Sequence, residues 1–187
     1  MQPKTRVTSI PGVRTFDLAP HPDARGHFAE VFRRSWAEEE FDCELQVNCS
    51  FSRTGVIRGL HYHLRQVDYW YLAAGRVTAV LVDLRPWSEG FRRVETLELL
   101  GDEPMGVWIP RGVAHGYAAR EPSSLIYLVS RYFTGTDEYG VAYDDPDLAV
   151  QWGIEEPVVS GRDRSNPRMC QLDFDRIGSA TGKSRGC

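Results

Sequence analysis

Apolar and polar residues along the 187-residue chain mostly follow the pattern of extended strands. The segment RVTAVLVDLR, Arg76 to Arg85, is rich in β-branched residues and is followed by Pro86, while RRVETLELL, Arg92 to Leu100, partly alternates apolar with polar residues. Both patterns predict strands, and the PWSEGF segment between them contains turn residues. GVWIP and SSLIYLVSRYF predict two further strands. Short strands at this spacing, separated by Gly and Pro, indicate an all-β barrel or sandwich.

Helical patterns are scarce. The best one is SWAEEEF, where Ser35 and Glu38 fit a capping box and predict a short N-terminal helix. We also expect a few short helical turns near the C-terminus. A chain of 187 residues that is 42% hydrophobic suffices for one core, and we predict a single domain over residues 1–176. The remaining residues, 177–187, are small and polar and predict a flexible tail.

Composition narrows the classes of function. The chain has no run of about 18 apolar residues, and its N-terminus lacks the apolar core of a signal peptide, so we expect a cytoplasmic protein without a membrane partner. The 22 basic and 26 acidic residues are interspersed and give a net charge of −4, which argues against a nucleic-acid partner. None of the four cysteines has the C-x-x-C spacing of a metal site, so free thiols are predicted at Cys43, Cys49, Cys170 and Cys187.

Two histidines one residue apart are the first candidates for chemistry. On a strand, the HYH triplet points His61 and His63 to the same face, where Asp68 and His115 could join them. Such a ligand set suits zinc, nickel or iron. The spacing H-x-H-x4-D-x6-G, followed later by P-x-G-x2-H, resembles the two metal-binding motifs of the cupin superfamily, with Asp where Glu is usual. The competing interpretation is that His63 only packs or hydrogen-bonds on the barrel wall and that Asp68 lies in a loop.

A second resemblance covers most of the chain. Between about Pro11 and Pro167 its motifs are, in order, DARGHFAE, QVNCS, GVIRGLHY, VDLR, WIPRGVAHGY, LIYLVSRYF, DDPDLAVQW and VVSGRDRSNP. Together they resemble the dTDP-4-dehydrorhamnose 3,5-epimerase family. The resemblance implies a jelly-roll β-barrel that works as a homodimer, uses no metal or other cofactor, and epimerises 4-keto-6-deoxy sugars attached to dTDP.

The resemblance also assigns three catalytic roles. A ketone at C4 acidifies the protons on C3 and C5, so a base can remove one and an acid can return a proton on the opposite face. The family's base is the His of RGLHY, which matches His61, and its acid is a Tyr that matches Tyr127 in LIYLVS. The carboxylate that orients the base matches Asp163 in SGRD, and it would favour the protonated imidazole.

Further matches imply how the substrate is held. Arginine suits a diphosphate because its guanidinium makes bidentate contacts with phosphate oxygens. The positions that match substrate-contacting residues of the family are Arg25, Glu30, Gln46, Asn48, Arg58, His115, Glu138 and Arg162, the last standing where Lys is common.

Two positions depart from the family pattern. Asp68 occupies the place of a family Lys, and His63 stands where Gln is common after LHY. A carboxylate about 4 Å from the sugar O4 would oppose the negative charge that develops there by about 4 kcal/mol at an effective dielectric near 20. A protonated His63 that pairs with Asp68 would keep the local charge near neutral and let epimerisation proceed, with inversion at one carbon or two.

Two other hypotheses account for the same departures. A metal ion bound by His61, His63, Asp68 and His115 would act as the Lewis acid, and His61 would then be a ligand instead of the base. Alternatively, the protein binds a nucleotide sugar with little turnover, since a fold and a binding cradle do not guarantee chemistry. The joint match at the three catalytic positions favours an epimerase, because a metal enzyme has no evident need for the SGRD carboxylate.

Overall fold

The computed structural model describes residues 3–37, 40–41 and 44–182. Strands dominate these residues. In chain order the strands are β1 Lys4–Val7, β2 Arg14–Asp17, β3 His21–Asp23, β4 Gly26–Phe28, β5 Gln46–Ser52, β6 Val56–Tyr62, β7 Asp68–Ala74, β8 Arg76–Asp83, β9 Val94–Leu100, β10 Met105–Ile109, β11 Val113–Ala119, β12 Ser123–Val129, β13 Tyr139–Gly140 and β14 Val158–Val159. The helices are α1 Gly161–Arg164 and α2 Phe174–Thr181, with 3-10 turns at Arg34–Trp36 and Met169–Gln171.

The strands form two sheets that pack face to face. One sheet has the order β1-β2-β10-β7-β12-β5, and the other has the order β13-β6-β11-β8-β9, with β14 added parallel to β6. A separate hairpin, β3–β4, lies outside both sheets. The described strands therefore form an open sandwich of jelly-roll type, and the predicted all-β class is confirmed, although the sheets do not close into a complete barrel.

Strand β8 shows why its sequence is apolar almost throughout. Val77, Ala79 and Leu81 pack between the two sheets, whereas Val80 and Val82 pack on the opposite side of their sheet against the C-terminal segment. Alternate residues of a strand point to opposite faces, so both faces of β8 are buried. The C-terminal segment thus covers the outside of this sheet. It contains short helical turns, as predicted.

The N-terminal helical prediction was wrong in its details. The structure has a single 3-10 turn at Arg34–Trp36, which begins after Arg33 and has no side-chain cap. Ser35 therefore lies inside the turn, and Glu38, the other half of the predicted capping box, is outside the described residues. Burial of Trp36 against the outer face of the first sheet fixes this segment, and tertiary packing overrides the local capping pattern.

The C-terminal boundary also differs from the prediction. Helix α2 continues through Thr181, and Ile177 is buried in the same cluster as Val80 and Val82. Residues 177–181 therefore belong to helix α2, which Ile177 and the partly buried Phe174 hold on the core. Residues 183–187 lie outside the described part of the chain.

Two of the predicted free thiols are confirmed, since Cys49 and Cys170 are exposed and unbridged. Cys43 and Cys187 are outside the described residues. Within residues 3–37, 40–41 and 44–182, helices of the length and apolar character needed to cross a bilayer are absent.

Candidate active site

A cavity of about 750 Å³ opens between the two sheets. Its walls come from β5, β6, β7, β11 and β12, and the segment around α1 closes one side. A cavity of this size accommodates a small-molecule ligand. The predicted site residues that line it are Gln46, Asn48, Arg58, His61, His115, Tyr127, Glu138, Arg162 and Asp163.

His61 and Asp163 form the closest contact between two of the predicted catalytic groups. His61 Nε2 lies 2.6 Å from Asp163 Oδ1, although the two residues are 102 positions apart in the chain. His61 is near the end of β6, and Asp163 lies in α1, whose Ser160 cap accepts a hydrogen bond from the Asp163 N–H. The predicted pairing of this imidazole with this carboxylate is therefore present as geometry.

Gly59 allows β6 to lie close to β11 and also contacts Asp163. Its φ of +124° lies in a region that favours glycine, and a Cβ built there would be 2.6 Å from Gly116 Cα. The Gly59 N–H also donates to Asp163 Oδ2 at 3.3 Å. Both carboxylate oxygens of Asp163 are thus engaged, and the side chain is fixed against β6.

The electrostatic state of Asp163 follows from two opposing effects. Burial raises the pKa of its carboxyl, but hydrogen bonds from His61 and from the Gly59 N–H outweigh burial, so the pKa lies below its usual value. An ionised Asp163 accepts a hydrogen bond from His61 Nε2–H. The neutral imidazole then has its unprotonated nitrogen at Nδ1, which is the atom available to act as a base.

Tyr127 lies on β12, in register with Trp70 of β7 and Asn48 of β5, and lines the same cavity. Its pKa is raised by burial and by the negative charges of Asp68 and Glu138. A phenol with a raised pKa remains protonated at neutral pH, so Tyr127 holds a proton that it can donate.

His63, Asp68 and His115 form a second group of side chains, here called the Asp68 cluster. His115 Nε2 is 2.9 Å from Asp68 Oδ2, and His63 Nε2 is 3.6 Å from the same oxygen. Burial raises the pKa of Asp68, but the two imidazoles outweigh that effect and hold the pKa below its usual value. Asp68 begins β7, so the interpretation that placed it in a loop was wrong.

The predicted four-residue metal set is also incorrect as a set. His61 pairs with Asp163, while one donor atom from each member of the Asp68 cluster lies within 4.8 Å of the others. His61 and His63 both line the cavity, as predicted, but they do not lie on one strand, because His63 comes one residue after β6 ends. The two imidazoles therefore meet different carboxylates.

The remaining lining residues supply charge and polar contacts. The Arg58 guanidinium donates to Ser52 Oγ at 2.9 Å and to the Phe51 carbonyl at 3.0 Å, both neutral acceptors. Arg162 pairs with Glu138 at 2.8 Å. Gln46 donates its side-chain amide to Asn48 Oδ1 at 2.8 Å. Arg58 keeps its full positive charge beside the cavity, where a phosphate could replace its neutral acceptors.

Two predicted substrate contacts lie outside this cavity. Arg25 is exposed on the β3–β4 hairpin and pairs with Asp23 at 2.6 Å. Glu30 follows the hairpin and pairs with Arg33 at 2.6 Å. Neither side chain lines the cavity of its own chain.

Several lining residues were missed by the sequence analysis. Gln66 donates its amide to Asp68 Oδ1 at 2.7 Å, and the Asp137 carbonyl contacts His63 Nδ1. Gln66 lies two residues before Asp68 but ahead of the start of β7, so the side-chain period of a strand did not predict its contact. Tyr117, bonded to Ser50 and Ser52, and Trp70 also line the cavity. The contact of Asp137 through its backbone carried no signal in residue type.

Comparisons with known proteins agree with this geometry. A sequence model described as dTDP-4-dehydrorhamnose 3,5-epimerase matches residues 7–171. A protein of that name from Mycobacterium tuberculosis is 33% identical over 175 residues, which cover 88% of this chain and 86% of the relative.

Solved structures of similar proteins share the fold. The enzyme RmlC of Legionella pneumophila, a dTDP-6-deoxy-D-glucose-3,5-epimerase in complex with dTDP-4-keto-L-rhamnose, has a TM-score of 0.83 and 30% identity, and the match covers 92% of this chain and 95% of that one. A double mutant of ChmJ, a 3'-monoepimerase from Streptomyces bikiniensis in complex with dTDP, has a TM-score of 0.82 and 28% identity, with 92% and 90% covered. The chain belongs to the dTDP-4-dehydrorhamnose 3,5-epimerase family.

Proposed function

We propose that the protein epimerises a dTDP-linked 4-keto-6-deoxyhexose at C3, at C5 or at both, as a step of deoxysugar biosynthesis. The observation that carries the proposal is the 2.6 Å contact between His61 Nε2 and Asp163 Oδ1 in the wall of the 750 Å³ cavity. Membership of an epimerase family supplies the reaction class, and this contact supplies a base with a fixed tautomer.

His61 starts the reaction. Its Nδ1 takes a proton from the carbon next to the C4 ketone, and the electron pair of that C–H bond moves into the ketone to give an enolate. The imidazole becomes positively charged, and the ionised Asp163 stabilises that charge through the Nε2–H bond. Asp163 does not need to receive the proton to have this effect.

Tyr127 completes the reaction. Inversion requires a proton donor on the face of the sugar opposite His61, and a neutral phenol can protonate the enolate carbon from there. The raised pKa of Tyr127 keeps this proton in place until the enolate, a stronger base, has formed. The resulting phenolate and imidazolium return to their resting states by proton exchange with water.

The nucleotide is held by the charged and polar residues of the same cavity. Arg58 faces the cavity with neutral acceptors that a diphosphate can replace by charge-assisted bonds. Arg162 and Glu138 line the cavity, Gln46 and Asn48 can offer polar atoms to the nucleotide, and the His115 ring forms part of the wall.

The proposal includes a homodimer. Arg25 and Glu30 match substrate-contacting positions but lie outside the cavity of their own chain, so a partner copy is where they can meet a substrate. Strand β5 is at the edge of its sheet and exposes Val47 and Phe51, at 59% and 60%, as an unpaired edge with apolar side chains would at an interface. Sedimentation that gives a monomer at micromolar concentration would contradict this part.

The proposed site of action is the cytoplasm. A dTDP-sugar carries a charged diphosphate, and moving such a charge through a bilayer is costly. An enzyme that works on it is therefore expected in the compartment that contains the nucleotide pool. Cell fractionation with antibody detection tests this expectation.

Isotope exchange tests the chemistry. Incubation with dTDP-4-keto-6-deoxy-D-glucose in deuterium oxide is expected to add one or two deuterium atoms, which mass spectrometry counts and proton NMR assigns to C3 or C5. Arg58→Ala serves as a binding variant, because it is expected to weaken dTDP affinity by roughly 10–100-fold, the value of hydrogen bonds to a charged group. Tight dTDP binding without exchange on folded protein would overturn the proposed activity and favour a binding protein.

A further inference from the structure

The Asp68 cluster is the most buried group of titratable side chains in the cavity wall. The side chains of His63 and His115 are each 7% exposed, and that of Asp68 is 2% exposed. Burial removes the water that would otherwise solvate these groups, so their charges and lone pairs must be satisfied by the cluster itself. The proposed reaction does not use His63 or Asp68.

Backbone carbonyls fix the tautomer of both imidazoles. His63 Nδ1 contacts the carbonyl of Asp137, and His115 Nδ1 lies 3.0 Å from the carbonyl of Val113. A carbonyl only accepts hydrogen bonds, so Nδ1 is the protonated nitrogen in both rings. Nε2 is then the nitrogen of each ring that faces Asp68 Oδ2, and its lone pair is the one that a metal ion could use.

Three atoms that can bind a metal ion, one from each residue of the Asp68 cluster, therefore meet in a buried space. Gln66 holds Asp68 Oδ1 at 2.7 Å and leaves Oδ2 to the two rings. A proton on His115 Nε2 would make a hydrogen bond to Oδ2 at 2.9 Å, but His63 Nε2 is 3.6 Å from that oxygen, too long for one. His63 Nε2 therefore lies beside a carboxylate oxygen without forming a hydrogen bond to it.

One metal ion could bind all three of these atoms at once. Bonds of about 2.0–2.2 Å at tetrahedral angles separate two donor atoms by roughly 3.3–3.6 Å. The two Nε2 atoms lie 2.9 and 3.6 Å from Asp68 Oδ2, and one ligand atom from each of the three residues lies within 4.8 Å of the others, so small rotations of the side chains would bring all three to one ion. Imidazoles that donate their other N–H to backbone carbonyls are also usual for metal-bound histidine. We propose that His63 Nε2, Asp68 Oδ2 and His115 Nε2 bind one divalent transition-metal ion of the zinc class, with the fourth position open to the cavity.

This site differs from both sequence-based expectations. It leaves His61 free, unlike the four-residue set, and it places a cation where the family resemblance implied a metal-free enzyme. Asp68 and His63 are the two departures from the family pattern, so the site would be a property of chains that carry both. Metal binding is measured without a sugar, so its failure leaves the proposed epimerisation standing, and absence of epimerisation leaves the site standing.

Calorimetry on the full-length protein tests the proposal. Protein purified without a histidine tag is stripped with EDTA and titrated with zinc sulfate, and we expect one ion per chain with a Kd below about 1 μM. Asp68→Asn and His115→Gln are each expected to weaken zinc binding by more than about 100-fold, beyond the range of losses from supporting residues. Two variants serve as matched controls: His27→Gln removes an exposed imidazole, and His61→Gln removes the neighbouring one. Both controls should bind zinc within about threefold of the wild type.

Four outcomes would overturn the site. They are less than about 0.1 zinc ion per chain at saturation, unchanged affinity in Asp68→Asn, loss of affinity in His27→Gln, and loss of affinity in His61→Gln. Circular dichroism checks that each variant is folded. If Asp68→Asn fails to fold, long-range proton–nitrogen NMR of the wild type decides the question. Zinc should shift two imidazole Nε2 signals, and unchanged signals would overturn the site.

Discussion

Two groups of histidine and carboxylate share one cavity wall, and they differ in what surrounds each imidazole. The His61 side chain is 26% exposed and uses one ring nitrogen to contact Asp163. The rings of His63 and His115 are each 7% exposed, and both nitrogens of each ring face protein acceptors. The second nitrogen of His61 can exchange a proton with a ligand in the cavity, whereas the rings of His63 and His115 direct both nitrogens at protein atoms.

The two carboxylates, Asp163 and Asp68, also differ in the groups that hold them. Asp163 comes from α1, far along the chain from β6, and is held partly by the Gly59 backbone. Asp68 begins β7 and is held by a side-chain amide, that of Gln66. The two groups therefore differ in the surroundings of one ring nitrogen. In His61 that nitrogen can act as a base, whereas in His63 and His115 it faces Asp68, where it could bind a metal ion. We therefore expect His61 and Asp163 to govern the rate, and the Asp68 cluster to govern cation binding and stability.

The largest effect is expected for His61→Asn. Removing the ring nitrogen that we assign as the base should lower deuterium exchange by roughly 1,000-fold or more, within the range of general-base catalysis. Calorimetry should show dTDP affinity within about twofold of the wild type, since the base acts on the sugar and not on the nucleotide. His21→Asn, at an exposed position on β3, is the matched control and should exchange normally. A loss below tenfold in His61→Asn would mean that another group is the base.

Asp163→Asn should have the next largest effect. The amide keeps the shape of the side chain but loses the charge that stabilises the imidazolium, so we expect exchange to fall by about 100–1,000-fold. The loss should lie in kcat, with KM little changed, because Asp163 acts through His61. Asp144→Asn removes an exposed carboxylate paired with Arg168 and should leave kcat unchanged. Equal losses in kcat and in dTDP affinity would instead indicate that α1 positions the nucleotide.

Asp163 should also contribute to acid stability. Although burial raises its pKa, the hydrogen bonds to His61 and Gly59 lower it below the usual value. A group with a lowered folded-state pKa stabilises the fold above the unfolded pKa, about 3.9, and loses that contribution as the pH falls through the folded value. Asp163→Asn should therefore be less stable than the wild type by about 2 kcal/mol at pH 7.

Urea unfolding at pH 7, 5, 4 and 3 measures this difference. Between pH 5 and pH 3 the gap between wild type and Asp163→Asn should narrow, because the lowered pKa of Asp163 places the loss of its contribution in this range. A gap that widens between pH 5 and pH 3 would show that the pKa of Asp163 is raised in the folded protein. Such a carboxyl would be a weaker partner for the His61 imidazolium.

The strands and the His61–Asp163 pair were predictable from sequence, and for different reasons. The strands followed from local alternation, because the side-chain period of a strand is visible over a few residues. The pair followed from resemblance alone, because 102 residues separate its members and no local pattern joins them. Helical turns near the C-terminus were expected, but the extent of α2 to Thr181 was not, because the packing of Phe174 and Ile177 on the core sets it.

The Asp68 cluster was predicted with one wrong member for a physical reason. Period-two spacing places His61 and His63 on one face only while the strand continues, and β6 ends at Tyr62. The contact between His63 and the Asp137 carbonyl then turns that ring toward Asp68. A backbone acceptor has no signature in residue type, so the sequence could not separate the two imidazoles.

The smallest effect is expected for Gln66→Leu. This change removes the side-chain hydrogen bond that holds Asp68, whereas Asp163 is held partly by a backbone N–H. Loss of the 2.7 Å bond from the Gln66 amide to Asp68 Oδ1 should cost about 1.5 kcal/mol, the low end for a hydrogen bond to a charged group. It should also weaken zinc binding by about tenfold, while exchange stays within about threefold because the change does not touch His61 or Asp163. Gln151→Leu, at an exposed position bonded to a neutral carbonyl, should change stability by less than about 0.5 kcal/mol. If Gln66→Leu reduced exchange as strongly as Asp163→Asn, the Asp68 cluster would belong to the catalytic machinery and the division between the two groups would fail.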